Sequence, residues 1–383
     1  MSALVSVIIP VYNAASTLPA CLDAVSRSQY RNFECLVADD GSTDASRDLA
    51  AQYGVSIYRS ESRRGPASAR NLAAANARGE ILLFIDADVC IEAGTITKIA
   101  EAFAGNASLD ALIGSYDDEP AALNFVSQYK NLLHCYFHQQ AKPEASTFWT
   151  GCGAIRREVF QASGGFDERY ARPSIEDIEL GSRMLRANRR IGLEPSLTVK
   201  HLKHWTFREV VTSDIRDRAI PWALVALREH KLPNDLNTQW SQRFSVILAW
   251  LALLFAAPFW PASVVALAVA LAVNQRLYGF LIRRRGVLFG LLSTPFLLFY
   301  FLYSGAGFLT ACGMWSYFQC RQIFSRGETK IASGVFDSRT FDGTRFDGTT
   351  FDGTTSEPAM ASMTSEAPPV DASASIASPS LGD

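Results

Sequence analysis

The chain lacks most of what would mark a secreted, zinc-stapled or nucleic-acid-binding protein. Its seven cysteines include no Cys-x-x-Cys pair, and Cys21, Cys35 and Cys90 lie in or beside apolar runs. That argues against a disulfide framework or a zinc site and suits a reducing compartment. Formal net charge is only -2, so no general basic field for nucleic acid is expected. No charged stretch followed by a long apolar segment opens the chain, and by Val5 a strand-like run has begun. A secretory signal is therefore not expected, and the start is expected to stay in the cytosol. Charge itself is missing from two stretches, Phe244 to Gln275 and Gly286 to Cys320, which contain no Asp, Glu, Lys or Arg.

Those two stretches would be roughly 45–50 Å long as helices, against a bilayer core of about 30 Å. Charge-free runs of this length are rare in soluble cores, so membrane helices are expected over 244–320. Pro258 and Pro261 interrupt the first stretch and Pro295 the second, so each is either one kinked span or a hairpin. Basic residues flank every end: Arg243, Arg276, Arg283 to Arg285, Arg321, Arg326 and Lys330. The positive-inside rule would keep all three flanks cytosolic, which requires hairpins. Two spans of about 15 residues each are short for a full crossing. Re-entrant or interfacial helices reconcile the two facts, and the span count stays open. Beyond lies a repeat of five residues beginning at Phe336, Phe341, Phe346 and Phe351, followed by Ser, Ala and Pro. Such a composition cannot build a core, and a disordered tail is expected over 333–383.

The remaining zone, 1–240, alternates strand and helix patterns. Val5 to Ile9, Phe33 to Ala38, Val55 to Tyr58 and Ile81 to Ile85 read as strands. Thr17 to Ser28 and Ser68 to Ala77 read as helices, with Asp44 a candidate N-cap for a helix running toward Tyr53. This rhythm predicts an α/β domain with a mostly parallel sheet and helices on both faces. Three strands end in polar tips: Pro10-Val-Tyr-Asn13, Asp39-Asp-Gly41 and Asp86-Ala-Asp88. In a parallel sheet such tips share one edge, where ligands of open α/β sheets bind. Carboxylates gathered there need a partner, and a divalent cation bridging to phosphate suits Asp86 and Asp88.

Val5-Ser-Val-Ile-Ile-Pro-Val-Tyr-Asn13, Val37-Ala-Asp-Asp-Gly-Ser-Thr-Asp44, Gly65-Pro-Ala-Ser-Ala-Arg-Asn71 and Asp86-Ala-Asp88 occur in order. Together they resemble the family 2 glycosyltransferases of the GT-A fold. Gly151 to Arg157, with Gly164-Gly-Phe-Asp-Glu168, is similar to that family's acceptor-side segment, and Glu176-Asp177 to its catalytic acidic motif. The resemblance spans residues 4 to about 210. Sugar-phosphate nucleotidyltransferases also use Asp pairs, but they open with a Gly-rich loop after the first strand, which Pro10 to Asn13 is not.

The resemblance implies displacement of a nucleoside diphosphate from a sugar by an acceptor hydroxyl or phosphate. Asp39, Asp40 and the backbone of Pro10 to Tyr12 would hold the nucleotide, a UDP-sugar being favoured. Carboxylates there accept from a uracil N–H or a ribose hydroxyl. Asp88 would ligate Mg2+ or Mn2+, with Asp86 holding ribose or a metal-bound water and His201 a further ligand. Arg70 would assist at the phosphates or pair with a helix neighbour. Asp177 is the candidate base, with Glu176 orienting or substituting, and direct attack would invert the anomeric centre. Ser174, Glu176 and Asp177 also suit a capping group at a helix start. Trp149, Gly151 and Cys152 would shape the pocket, Cys152 by packing. The Gln-x-x-Arg-Trp motif of processive members is absent, Gln239 to Phe244 offering only a Gln239-x-x-x-Arg243 spacing. A single transfer to a lipid-linked or membrane-associated acceptor is expected, by a domain on the cytoplasmic side of the inner or plasma membrane. The competing reading is an inactive glycosyltransferase-like membrane scaffold.

Overall fold

The computed structural model describes residues 2–230 and 234–332. The tail expected over 333–383 lies outside the described residues.

Apolar runs with no helical period form the strands β1 (Val5–Val11), β2 (Phe33–Asp39), β3 (Ser56–Arg59) and β4 (Ile81–Ile85). Between them lie α1 (Leu18–Ser26), α2 (Ser46–Ala51) and α3 (Pro66–Asn76). Next come β5 (Val89–Ile91), α4 (Thr95–Gly105), β6 (Ala111–Tyr116), α5 (Phe125–Gln139), β7 (Cys152–Arg156), α6 (Arg157–Ala162), α7 (Glu176–Arg186) and β8 (Ile191–His201). They form one eight-stranded sheet, ordered β3-β2-β1-β4-β7-β6-β8-β5. The half holding β3, β2, β1 and β4 is parallel throughout. Beyond it β7 runs antiparallel to both β4 and β6, while β6 and β8 are parallel. One core packs α1 and α4 on one face of the sheet, and a second packs α3, α6 and α7 on the other.

Two expectations are corrected. Asp44 is not an N-cap, since α2 begins at Ser46 after Ala45. Its carboxylate instead accepts from Ser46 N at 3.0 Å and Ala15 N at 3.0 Å, joining the loops that follow β1 and β2. Ser174 does not cap α7 either, because Ile175 holds that position. The Ser174 hydroxyl donates to Asp217 O at 2.7 Å, while Glu176 and Asp177 occupy the first turn.

The chain then forms α8 (Phe207–Thr212), a π-helical turn at Ser213–Ala219, and α9 (Ile220–Glu229). The first charge-free stretch is a hairpin of α10 (Trp240–Phe255) and α11 (Trp260–Val273), broken around Pro258 and packed through Leu248, Ala252, Ala266 and Ala270. After Asn274, α12 (Gln275–Arg285) turns 65° from α11. Pro295 does not break the second stretch, which lies in the continuous helix α13 (Val287–Ala332). Over Val287–Gln319 that helix is long and apolar enough to cross a membrane, and α11 with α12 reaches the same threshold only as one bent span.

These helices do not stand clear of the α/β domain. Phe289 of α13 packs on Phe125 at 4.8 Å, and further along Tyr303 donates to Asp214 at 2.7 Å. The fourteen residue steps between them span about 21 Å of helix. Arg284 pairs with Asp118 at 2.5 Å, and Arg285 donates to Gln128 at 2.6 Å. Two of the arginines that suggested a free basic flank are therefore docked on the domain. The outer face of the layer exposes Trp250, Leu254, Trp260, Val265, Leu288 and Leu291.

Candidate active site

The three polar tips do meet. Val11 is level with Asp39 in the β1–β2 register, and β4, parallel to β1, delivers Asp86 to the same edge. They open into a cavity of about 1090 Å3 that also takes in Glu176, Asp177 and His201.

Asp39 and Asp40 are separated in role by their bonding. Asp40 accepts from Arg64 N and Gly65 N, each at 2.8 Å, so both its oxygens hold the loop before α3. Gly65 sits there at φ +97°, and a Cβ would come within 2.6 Å of the Ala171 backbone. Asp39 accepts from Ser42 N at 2.9 Å through one oxygen, while its buried Oδ2 has no hydrogen-bond partner among the described residues. Arg59 Nε stands 3.7 Å from that oxygen, an ion pair that leaves its hydrogen-bonding capacity open to a ligand N–H or hydroxyl. Pro10 and Tyr12 line the adjoining wall, where Arg63 lies 4.0 Å over the Tyr12 ring.

Arg70 is not at leisure to grip phosphate. It is buried, and its two terminal nitrogens bind Glu176 at 2.8 Å and Asp86 at 2.7 Å. Its partners come from α7 and the β4 tip rather than from its own helix, because α3 lies over the sheet edge where those carboxylates arrive. Glu176 is engaged through both oxygens, the second accepting from Ser174 N at 2.9 Å. Its neighbour Asp177 keeps looser partners, with Oδ2 accepting from Thr150 N at 3.2 Å and Oδ1 from Ile178 N at 2.8 Å. Burial, then the Glu176 charge, push the Asp177 carboxyl up to about 6, against the opposing pull of Arg70. A carboxylate poised there takes a proton readily near neutral pH.

Asp88 and His201 are brought together across the β5–β8 pairing, Nε2 to Oδ2 being 3.6 Å. The Tyr116 ring stacks on the imidazole at 4.3 Å and 14°, fixing its plane. Burial raises the Asp88 carboxyl, but His201 and Lys203 outweigh it and hold the group below its ordinary value. Asp86 is shifted the other way, by burial and by the Asp88 charge, with Arg70 opposing. No cluster of three or more metal-ligating side chains occurs among the described residues. Asp88 and His201 fit a divalent ion that takes its remaining ligands from diphosphate oxygens and water, as Mg2+ commonly does.

The cavity floor is an aromatic group that the linear chain did not announce. His134 and His138, one turn apart on α5, stack at 4.0 Å and meet Trp149 at 4.7 and 5.1 Å. The signal was available: Lys130, Asn131, His134 and His138 recur at helical spacing along α5. Burial keeps both imidazoles neutral, driving His138 down to about 4. Trp149 folds back over Gly151, where a Cβ would lie 2.2 Å from the indole. Cys152 is fully buried in the sheet, a packing residue as anticipated.

Residues 6–164 match the sequence model of the family described as Glycosyl transferase family 2. Among curated proteins, the chain is 30% identical to Glycosyltransferase GlyG of Streptococcus pneumoniae serotype 4, over 30% of this chain and 40% of that protein. It is 38% identical to the UDP-Glc:alpha-D-GlcNAc-diphosphoundecaprenol beta-1,3-glucosyltransferase WfgD of Escherichia coli, over 22% of this chain and 35% of that one. The chain thus spans less than half the length of either relative. In fold it is similar to the mannosyltransferase PcManGT from Pyrobaculum calidifontis, solved with GDP-Man and Mn2+. That likeness has a TM-score of 0.52 at 20% identity and covers 80% of this chain and 86% of that one.

Proposed function

We propose that this chain, which has the GT-A fold and matches the family 2 model over residues 6–164, is a glycosyltransferase of that family and transfers a sugar from a nucleotide-sugar donor, a UDP-sugar in preference, to a hydroxyl or phosphate of a lipid-linked or membrane-associated acceptor, with inversion. The carrying observation is that Asp177, with its carboxyl raised to about 6, lines the same cavity as Asp88 and His201. Asp39, whose Oδ2 has an ion pair with Arg59 but no hydrogen bond among the described residues, and the wall at Pro10 and Tyr12 take the nucleotide, and Asp40 shapes the loop beside it. Asp88 and His201 would hold Mg2+ or Mn2+, which when bound offsets the charge gathering on the leaving diphosphate. Asp177 accepts the acceptor's hydroxyl proton as the new carbon–oxygen bond forms. The bond from the anomeric carbon to the diphosphate oxygen breaks, and its electron pair leaves with the nucleoside diphosphate. Attack from the face opposite the leaving group inverts the centre. Arg70 and Glu176 position Asp86 and the start of α7 rather than touching the reacting atoms.

Two observations support the membrane side of this reading: the exposed apolar face of α10 to α13, and the diphosphoundecaprenol acceptor in the name of the E. coli relative. They support membrane association, and the reading puts the domain on the cytoplasmic side of the inner or plasma membrane. The test is a panel of nucleotide sugars given to the purified full chain with Mn2+ or Mg2+, read as released nucleoside diphosphate. Release from at least one donor is expected. Failure to release, together with failure to bind any nucleoside diphosphate, would leave the scaffold reading in its place.

A further inference from the structure

Beyond Asp177 the cavity is lined by residues that have no part in the donor contacts assigned above. Its walls in this half come from α5, the π-helical turn, α9 and α13. Three cations line it, Lys130, Lys203 and Arg218, with the acids Asp214 and Glu209. Both acids are already committed. Asp214 takes the Lys130 ammonium at 2.5 Å and the Tyr303 hydroxyl at 2.7 Å. Glu209 closes a capping box, accepting from the backbone and hydroxyl of Thr206 at 2.8 Å each. Arg218 lies 3.8 Å from Asp214, beyond hydrogen-bonding distance, and makes no hydrogen bond among the described residues. Lys203 sits 3.9 Å over the Trp205 ring. The buried Trp205 indole N–H has no partner among the described residues.

What remains unspent in this half is a set of donors, two cationic and one neutral. Asp214 is shared between Lys130 and Arg218, so three cations face two acids, and an anion offsets the excess positive charge where a neutral sugar does not. Trp222 carries the wall on to α9, and Tyr300 and Ser304 carry it on to α13, which exposes Leu288, Leu291, Phe299 and Phe308. We propose that this half of the cavity is the acceptor subsite for an amphiphile with a phosphate headgroup, the phosphate held by Arg218, Lys203 and the Trp205 indole and the apolar chain leaving along α9 and α13. This rests on the glycosyltransferase reading and adds the acceptor's chemical class. The mutual strain of the cations agrees with it: burial lowers the Lys130 ammonium, Asp214 opposes, and Arg218 and Lys203 lower it further.

The test is calorimetry on the full chain in a neutral detergent, titrated separately with decyl phosphate, decanol, inorganic phosphate and UDP with Mn2+. The wild type is expected to bind decyl phosphate well above decanol or inorganic phosphate. Arg218→Gln should weaken decyl phosphate by about tenfold or more, the worth of a charged hydrogen bond, with UDP affinity kept within about twofold. Trp205→Phe should weaken it by severalfold, roughly one neutral bond. Retained UDP binding shows that the variants are folded. Decyl phosphate binding that ignores Arg218, or that decanol equals, overturns the subsite. Equal loss of UDP and decyl phosphate in Arg218→Gln assigns the cation to the donor diphosphate and overturns it too. Inorganic phosphate binding as tightly as decyl phosphate removes the apolar half of the proposal. If wild type binds no UDP at all, it is the glycosyltransferase reading that fails, whatever the phosphate result.

Discussion

Arg70 and Glu176 stand 106 positions apart in the chain and meet at 2.8 Å, both almost wholly buried. The guanidinium also holds Asp86, so one cation fixes the β4 tip and the first turn of α7 at once. Removing one partner of such a group strands the others in a low-dielectric interior. Arg70→Met is therefore expected to cost about 3–5 kcal/mol, measured by denaturant unfolding. Glu176→Gln keeps a hydrogen-bond acceptor and should cost less. Loss of the Arg70 charge should also move the Asp177 titration upward, since that charge pulls it down. An unchanged acid limb in the Arg70→Met variant would separate the two groups.

Asp177 carries a pH dependence of definite sign. Its folded value of about 6 lies above the ordinary 3.8, so it works as a base only once deprotonated. The kcat/KM profile is expected to fall as pH drops through about 6. Asp177→Asn should lose about 100- to 10,000-fold in transfer, the usual worth of a positioned base, while nucleoside diphosphate binding persists. Stability runs the other way. A raised carboxylate favours the folded state below its unfolded value and loses that contribution as pH rises through the folded one. Asp177→Asn should thus melt higher than wild type at pH 8 and level with it near pH 3.5. Equal melting at both would show that the carboxylate is not strained.

The sheet edge and its carboxylates were legible in the chain because apolar runs stop at polar tips, and chain order alone brings parallel strand ends to one side. Long-range partners were not. Nothing near Arg70 in sequence announces Glu176, so it read as a phosphate contact or a partner of its own helix. Asp39 and Asp40 look alike as letters, and only the folded loops show that both Asp40 oxygens accept backbone N–H groups while Asp39 Oδ2 has an ion pair but no hydrogen bond among the described residues. The polar stripe of α5 was hidden because one turn of His and Lys on an amphipathic helix reads as a solvated face until another element covers it. Pro295 misled in the opposite sense. A proline interrupts a helix pattern on paper, yet α13 continues through it, packed on both sides by Phe125 and Phe301 contacts to its neighbours.

The pairing of Asp88 with His201 predicts a split between metal and nucleotide effects. Asp88→Ala should abolish metal-supported UDP binding, because a two-ligand site cannot lose its only anionic side chain. His201→Gln should weaken Mn2+ by about tenfold, with the stacked Tyr116 holding the remaining geometry. Electron paramagnetic resonance of added Mn2+ with UDP reads both. Chelation of divalent ions should remove UDP binding in the wild type and leave Asp88→Ala as it was. Tight UDP binding by chelated wild type would refute the metal's role.

The course of α13 predicts how the chain meets a bilayer. From Phe289 to Tyr303 it follows the α/β domain for about 21 Å, a large part of a bilayer core of about 30 Å. At Tyr303 its neighbours are Lys130, Asp214 and Arg218, charges that the hydrocarbon region does not tolerate. The layer should therefore lie in the interface with its Trp-rich face down, and the turn between α10 and α11 should not emerge on the far side. Ala257→Cys in that turn is the reporter. In sealed vesicles of known orientation, a membrane-impermeant maleimide should reach it from the side holding the α/β domain, as read from the mass of the labelled peptide. Labelling only from the opposite side would make α10 and α11 a crossing hairpin and reject the interfacial arrangement.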